Sequence, residues 1–380
     1  MTDAAPPASA TPPSLAPSSL APSNETARAL QANLVAAIAR NHGKGGGVLR
    51  IESSTSGVVW EGAAGLRSAR GESAVAMRAG DTFEVASITK TFTAACALLL
   101  VEDGALELDA PIGRALPAST TNGLLVFKGH DYGAELTLRQ LLSHRSGMPD
   151  YWTDPPFVKR HANAFLRAFL ADRDRVWKPD EILPYVRALT PIGPPGSQFH
   201  YADSNYVVLG LLLERVTGSP LPQLLRERLL EPLGLHDTYF SYLESPRNAA
   251  HSHRYEGALD LDGQPRQTAD WAGGGLVSST RDLSRFLFAL AEGKLFRLPT
   301  TYRAMTEWTK TTTEGVSYGL GLFHVELPNG AGDLIGHDGH GNAFMYYSPQ
   351  RRWVWSGTLN QTENDWWTMV VAASKTVEAP

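Results

Sequence analysis

An α+β fold is predicted for this chain: one antiparallel sheet assembled from both ends of the sequence and flanked by helices, with a mostly helical lobe made by the middle. Two observations carry this. Short strand-like segments, bounded by Gly, Pro, Ser or Thr, occur near the N-terminus and again after residue 310. From about 105 to 300 the chain instead alternates helix-spaced apolar residues with long loops, and its prolines cluster at 149–156, 179–195 and 220–232. Pairing the two ends into one sheet leaves a crevice against the helical lobe, where a site is expected. The organisation expected is a tail over 1–24 and a single unit over 25–380, with an α/β lobe of 25–110 and 310–380 and a helical lobe of 111–309.

Residues 1–24 are mostly Ala, Pro, Ser and Thr, a composition that buries no core and predicts a disordered tail. Leu30, Leu34 and Ile38 then recur at helical spacing over Glu25 to Arg40, with Asn24 as the expected N-cap. Gly43 to Gly47 lacks the Gly-Lys-Ser/Thr ending of a phosphate loop and is expected to be a strand entry. Strands follow at Val48–Glu52 and Gly57–Gly62. Thr89 to Asp103 is an Ala- and Leu-rich helix stopped by Gly104. Leu136–Ser143 predicts a short helix, Tyr206–Val216 a buried one, and Arg281–Ala291 a third capped by Thr280. Strands return at Tyr318–Phe323, Phe344–Tyr347 and Val354–Thr358, and Trp366–Ser374 predicts a closing helix.

The 380 residues are 43% hydrophobic and carry a net charge of -5, so no basic footprint for nucleic acid or an anionic membrane is present. No apolar run is long enough to span a bilayer, and the tail lacks the basic start and apolar core of a secretory signal. A cytoplasmic protein is therefore expected, with export left open if the true start lies elsewhere. The single cysteine, Cys96, permits no intrachain disulfide and no Cys-based zinc site, and its apolar surroundings predict a buried thiol.

Ser87-Ile88-Thr89-Lys90 places a hydroxyl and an amine at i and i+3, on one face of a helix start. Lysine can be the base that activates a serine when burial or a neighbouring positive charge lowers its pKa; otherwise the pair is an ordinary Ser and Lys. The loop Pro195–Tyr206 contains Tyr201 and Asp203, where the tyrosine is either a proton shuttle or a packing residue. Gly336-His337-Asp338-Gly339-His340-Gly341 suggests a sheet-edge strand approached closely by another backbone. Its alternative is a metal site, which would need further ligands such as His251 and His253. Trp271–Thr280 is expected to be a structural turn before a helix.

Taken in this order, these segments resemble the penicillin-recognising serine hydrolases, in the branch of class C β-lactamases, HxG-type DD-carboxypeptidases, D-aminopeptidases and family VIII-like esterases. Leu106-Glu107-Leu108-Asp109, Leu141 to Pro149 and Tyr318-Gly319-Leu320-Gly321 look like further hallmarks. The resemblance covers nearly all of the chain after the tail and implies a β-lactamase/transpeptidase-like fold. It implies Ser87 as the acylated nucleophile, Lys90 as its base, Tyr201 as the proton carrier to the leaving group, and His337 with Gly339 as the third motif. The backbone N–H groups of Ser87 and His340 would form the oxyanion hole, where losing one donor typically costs about 2.7–4 kcal/mol. No cofactor or metal is implied, and the partner expected is a small-molecule or short peptide substrate.

Two positions depart from the family pattern, and a third, His337, follows the His-x-Gly branch and not the Lys of the β-lactamases. Asp203 stands where Asn is usual, and a carboxylate accepts hydrogen bonds where an amide also donates. Asp338 stands where Thr or Ser often helps to bind a substrate carboxylate, and His337 replaces a permanently charged Lys. Like charges in a partly dry cleft repel, so carboxylate-bearing substrates such as penicillins are expected to be disfavoured. Substrates with a free ammonium group, or neutral esters and amides, are favoured, D-amino-acyl amides and esters among them; alternatively Asp203 simply balances Lys90. DD-carboxypeptidase or β-lactamase activity, acyl transfer to an alcohol or amine, and a non-catalytic binding relative are the competing expectations.

Overall fold

The structure is a computed structural model that describes residues 23–40, 45–68, 74–154, 163–247, 250–262, 265, 267–328 and 332–378. The tail expected over 1–24 lies outside these residues apart from Ser23 and Asn24, as does the start of the glycine turn at Gly43.

Nine strands form the main sheet: β1 (Gly46–Ser53), β2 (Gly57–Ser68), β3 (Val75–Ala76), β4 (Thr309–Lys310), β5 (Val316–Tyr318), β6 (Phe323–Glu326), β7 (Asp333–Gly339), β8 (Ala343–Ser348) and β9 (Trp353–Leu359). Their order is β4-β5-β6-β7-β8-β9-β1-β2-β3. The N- and C-terminal segments therefore meet where β1 pairs antiparallel with β9, Leu49 opposite Gly357 and Ile51 opposite Trp355. Strand alternation sends successive side chains to opposite faces. On one face Leu49, Ile51, Phe344, Tyr346 and Trp355 pack under helix α1 (Asn24–Ala39) and the C-terminal helix. On the other, Val48, Met345, Tyr347 and Val354 join the larger core shared with the helices of the middle of the chain.

Four further helices matter for the site: α2 (Thr89–Glu102), α3 (Asp203–Thr217), α4 (Thr280–Ala291) and α5 (Trp366–Glu378). Helix α2 is buried almost all round, with Phe92 stacked on Phe286 of α4 at 3.8 Å. Its threonines find backbone partners in place of water: Thr91 Oγ1 donates to Gly321 O at 2.8 Å, Thr93 Oγ1 donates to Ala272 O at 2.7 Å, and Thr89 Oγ1 accepts from Leu276 N at 3.1 Å. A short sheet in the order Phe83–Glu84, Leu276–Ser278, Tyr239–Phe240 carries the chain into the start of α2.

Several boundaries differ from the expectation. Ser23, not Asn24, caps α1 through its hydroxyl, and Ser279, not Thr280, caps α4. Both pairs are good capping residues, and the one whose oxygen meets the N–H three residues on takes the place. Tyr318–Phe323 is not one strand but the turn between β5 and β6: Gly321 adopts φ 82°, and a Cβ there would meet Ala94 Cβ at 2.4 Å.

Candidate active site

Ser87 sits in a tight turn, Ala86–Ile88, that runs straight into α2. Ala86 has φ 44°, a left-handed conformation that costs a non-glycine residue about 1 kcal/mol or more. Lys90 is fully buried, and its Nζ has three acceptors: Ser87 Oγ at 2.9 Å, Gly273 O at 2.9 Å and Asp203 Oδ1 at 2.5 Å. Three acceptors match the three donors of an ammonium. Burial pulls the amine's pKa down, but the Asp203 carboxylate, helped by Tyr201, pushes back harder, and the net shift is upward. The lowered pKa required of a lysine base is therefore not what the resting geometry provides: Asp203 holds Lys90 charged.

Helix α3 starts at Asp203 without a side-chain cap of its own. The loop of residues 143–154 supplies the missing acceptors. Asp150 Oδ1 accepts from Asp203 N at 3.1 Å, His144 Nδ1 from Ala202 N at 3.0 Å, and Pro149 O from the Ser204 hydroxyl at 2.6 Å. This docking fixes Tyr201 and Asp203 against α2. Tyr201 stacks on His144 at 4.2 Å, with Lys90 Nζ 5.0 Å from its ring centre, and its hydroxyl hydrogen-bonds with Ser87 and Lys90. Burial, only partly opposed by the Lys90 charge, pushes its phenol up to about 12, so at neutral pH it holds its proton.

His337, Asp338 and Gly339 end β7, which lies between β6 and β8 and not at a sheet edge. The close backbone approach is nonetheless there. A Cβ on Gly339 would lie 2.2 Å from Val85 O, so the glycine lets β7 press against the segment leading to Ser87. His340 follows immediately and lines the cavity beside Ser87. The His337 ring is buried among Tyr318, Phe323 and Tyr201. Its Nδ1 donates to Asp338 O at 2.6 Å, which leaves Nε2 to accept from the Tyr318 hydroxyl at 3.2 Å. Burial and then the Lys90 charge lower its pKa to about 3, so it is neutral and lacks the permanent charge of a lysine.

Asp338 corrects the expectation that it faces substrate. Its register partner is Phe344, on the sheet face covered by α1 and α5, whereas His337 pairs with Met345 on the other face. The Asp338 carboxylate accepts from the Tyr346 hydroxyl at 2.7 Å and does not line the cavity. His251 lies 3.9 Å from Asp262, and His253 3.0 Å from Asp260.

A cavity of about 440 Å³ opens over Ser87, walled by Tyr201, Asp203 and His340. It is also lined by four residues that no motif singles out: Asp150, Trp152, Arg254 and Asp270. Trp271–Thr280 is likewise more than a structural turn, because Gly273 supplies a carbonyl to Lys90. Arg254 lies 3.5 Å from Glu84, and Trp152 Nε1 donates to Asp270 Oδ1.

This fold has counterparts of known structure. A D-stereospecific amidohydrolase from a Streptomyces species is 30% identical and superposes with a TM-score of 0.76 over 91% of this chain and 98% of its own. A D-amino acid amidase from Ochrobactrum anthropi SV3, 24% identical with a TM-score of 0.76 over 93% of this chain and 99% of its own, shares the fold. Protein Rv1367c of Mycobacterium tuberculosis is 29% identical over 230 residues, 57% of this chain, and the chain spans only 55% of that relative's length. The antiparallel sheet with helices on both faces is the β-lactamase/transpeptidase-like fold. Residues 33–367 match the Beta-lactamase family throughout, and the chain belongs to that family.

Proposed function

We propose that the protein is a serine hydrolase that acts through a covalent acyl-enzyme on small amides or esters, including D-amino-acyl ones. The observation that carries this is the contact set of Lys90, whose Nζ touches both Ser87 Oγ and Asp203 Oδ1 at the floor of an open cavity. Substrate binding displaces water and makes the separated charges of Lys90 and Asp203 more costly, which favours moving one proton from Nζ to the carboxylate. The neutral amine then takes the Ser87 proton as Oγ attacks the substrate carbonyl. The backbone N–H groups of Ser87 and His340 receive the oxyanion. On collapse, the proton passes from Lys90 through Tyr201 to the leaving group, Asp203 returns its own proton to Lys90, and water later frees the acyl group from Ser87. His337 positions this assembly as a neutral packing partner of Tyr201. The D-amino-acyl preference draws on the similarity to the Streptomyces amidohydrolase and on the acidic character of the cavity.

The test is labelling by a fluorophosphonate probe, located by mass spectrometry, together with kcat/KM for D-alanine p-nitroanilide, a neutral p-nitrophenyl ester and nitrocefin. The expected result is an adduct on Ser87, lost in Ser87→Ala, and nitrocefin as the poorest substrate. Near-full turnover by Ser87→Ala would refute the covalent route, and nitrocefin as the best substrate would refute the charge reasoning.

A further inference from the structure

We propose that Asp270, anchored by Trp152 on the wall of the cavity, selects substrates that carry a free ammonium group, as the α-amino group of an amino-acyl amide or ester does. This deepens the hydrolase reading above and rests on it.

Asp270 precedes a short turn, Trp271–Gly273, in which Trp271 is held at φ 38° and Gly273 hands its carbonyl to Lys90. The position of Asp270 is thus tied to that of the candidate nucleophile. One carboxylate oxygen, Oδ1, accepts the indole N–H of Trp152, which fixes the orientation of the group. The other, Oδ2, accepts from no described residue, and both Asp270 and Trp152 line the cavity that holds Ser87. An oriented carboxylate on the wall of a substrate cavity, with one oxygen not accepting from a side chain, is suited to an ammonium through ion pairing and charge-assisted hydrogen bonding.

Lys90 and Arg254 lie near enough to Asp270 to favour its charged form, yet neither pairs with it directly. Asp150, Asp203 and Asp270 line the cavity together with Arg254, and Lys90 lies beneath. Lys90 is committed to Asp203. Arg254 is 3.5 Å from Glu84 and 3.4 Å from His340 O, and no described basic residue forms an ion pair with Asp270. Asp150 spends both oxygens on the Asp203 backbone and on Thr153. Burial, and then the neighbouring Asp203, push the Asp270 carboxyl up to about 6 and that of Asp150 up to about 7. The groups facing Asp270 are Lys90 from α2, Asp203 from α3, Asp150 and Trp152 from the loop before 155, and Arg254. Above about pH 6 an incoming ammonium therefore meets an ionised acceptor with one oxygen free of any direct ion pair among the described residues, whereas an N-acylated or carboxylate-bearing group meets repulsion or nothing to bond.

The experiment measures the ratio of kcat/KM for D-alanine p-nitroanilide to that for its N-acetyl form at pH 7.5. In the unmodified protein this ratio should be about tenfold or more, a difference of about 1.4 kcal/mol. Asp270→Asn keeps an acceptor for Trp152 but removes the charge, and should lower the ratio about tenfold, chiefly through KM. A ratio in the variant within about twofold of the unmodified one overturns the assignment to Asp270. A ratio at or below one in the unmodified protein overturns it without recourse to any variant. If Ser87 takes no label and no ester is turned over, the hydrolase reading itself has failed; if labelling and ester turnover persist while the ratio is near one, only the ammonium selection has.

Discussion

Replacing Asp203 by Asn separates the electrostatic role of this residue from its shape. The carboxylate oxygen lies 2.5 Å from Lys90 Nζ, with the lysine wholly buried and the aspartate side chain 17% exposed. Breaking a buried pair by removing one partner typically costs about 3–5 kcal/mol, because the remaining charge is left uncompensated. Here the amine has an escape: without Asp203 the lowering effect of burial is opposed only by Tyr201, so the Lys90 pKa falls below its ordinary value and the amine can shed its proton. In the unmodified protein the folded-state pKa is raised, so the contribution of Lys90 to stability is full up to the unfolded value of 10.5 and declines only above it. In Asp203→Asn the sign reverses. The unfolded chain binds a proton that the folded chain refuses, so stability rises with pH by up to about 1.4 kcal/mol per unit between the two pKa values. The stability gap between the two proteins should therefore be widest near neutral pH and should close by about 2–3 kcal/mol as pH rises from about 7.5 to about 10. Working above pH 7.5 avoids the range in which Asp270, near 6, and Asp150, near 7, titrate under the influence of the same aspartate. Urea unfolding of both proteins across this range gives the gap directly. A gap that stays constant with pH would show that Asp203 does not govern the proton on Lys90, and the proposed proton hand-off would fall with it.

Two further outcomes follow from the same geometry. Gly339→Ala places a Cβ 2.2 Å from Val85 O, so β7 must move away from the Ser87 turn; probe labelling of Ser87 should slow about a hundredfold or more, with a stability loss of about 1–3 kcal/mol by urea unfolding, and labelling at the unmodified rate would count against the close approach as the device that seats His340. His337, lowered to about 3 by burial and the Lys90 charge, should show no imidazole titration by NMR from about pH 8 down to about 4.5, and because the unfolded chain takes up that proton, stability should fall as pH drops below about 6.5, an acid-side slope that His337→Asn makes shallower while the buried His144 and His251 keep the rest.

What the sequence made legible follows from how local each feature is. Ser87 and Lys90 are three residues apart on one helix, so their contact needs no tertiary information, and it is present at 2.9 Å. The meeting of the two chain ends in β1 and β9 followed from strand texture at both ends. Asp338 was misjudged because neighbouring residues of a strand face opposite sides, and the partner that decides which side, Phe344, lies across a turn. Gly273 O was invisible because a backbone carbonyl leaves no signature in the side chains. Asp270 and Trp152, 118 residues apart, meet only through the packing of two loops, which no periodicity encodes. The N-cap of α1 was displaced by one residue because Ser23 and Asn24 are nearly equivalent caps, and the choice depends on backbone angles alone.

The same distances bear on the proposed preference for substrates other than β-lactams. A cleft that attracts a carboxylate needs positive charge it has not already spent. The charge of Lys90 is balanced by Asp203 at 2.5 Å, and His337, where a permanently charged lysine would stand, is neutral because burial and then the Lys90 charge lower its pKa. Arg254 is shared with Glu84. Opposed to these are the carboxylates of Asp150 and Asp270, both on the cavity wall. Restoring a usable field for an anion would thus take more than one substitution. His337→Lys would bury a second ammonium near Lys90 with no carboxylate to receive it, because Asp338 is turned to Tyr346 on the far face of the sheet. Only a combination that also removes charge at Asp270 would leave the cavity less acidic. The double variant should therefore gain on nitrocefin where His337→Lys alone loses stability and gains nothing, and a gain by the single variant would mean that the field at Ser87 is set by β7 and not by the acidic wall.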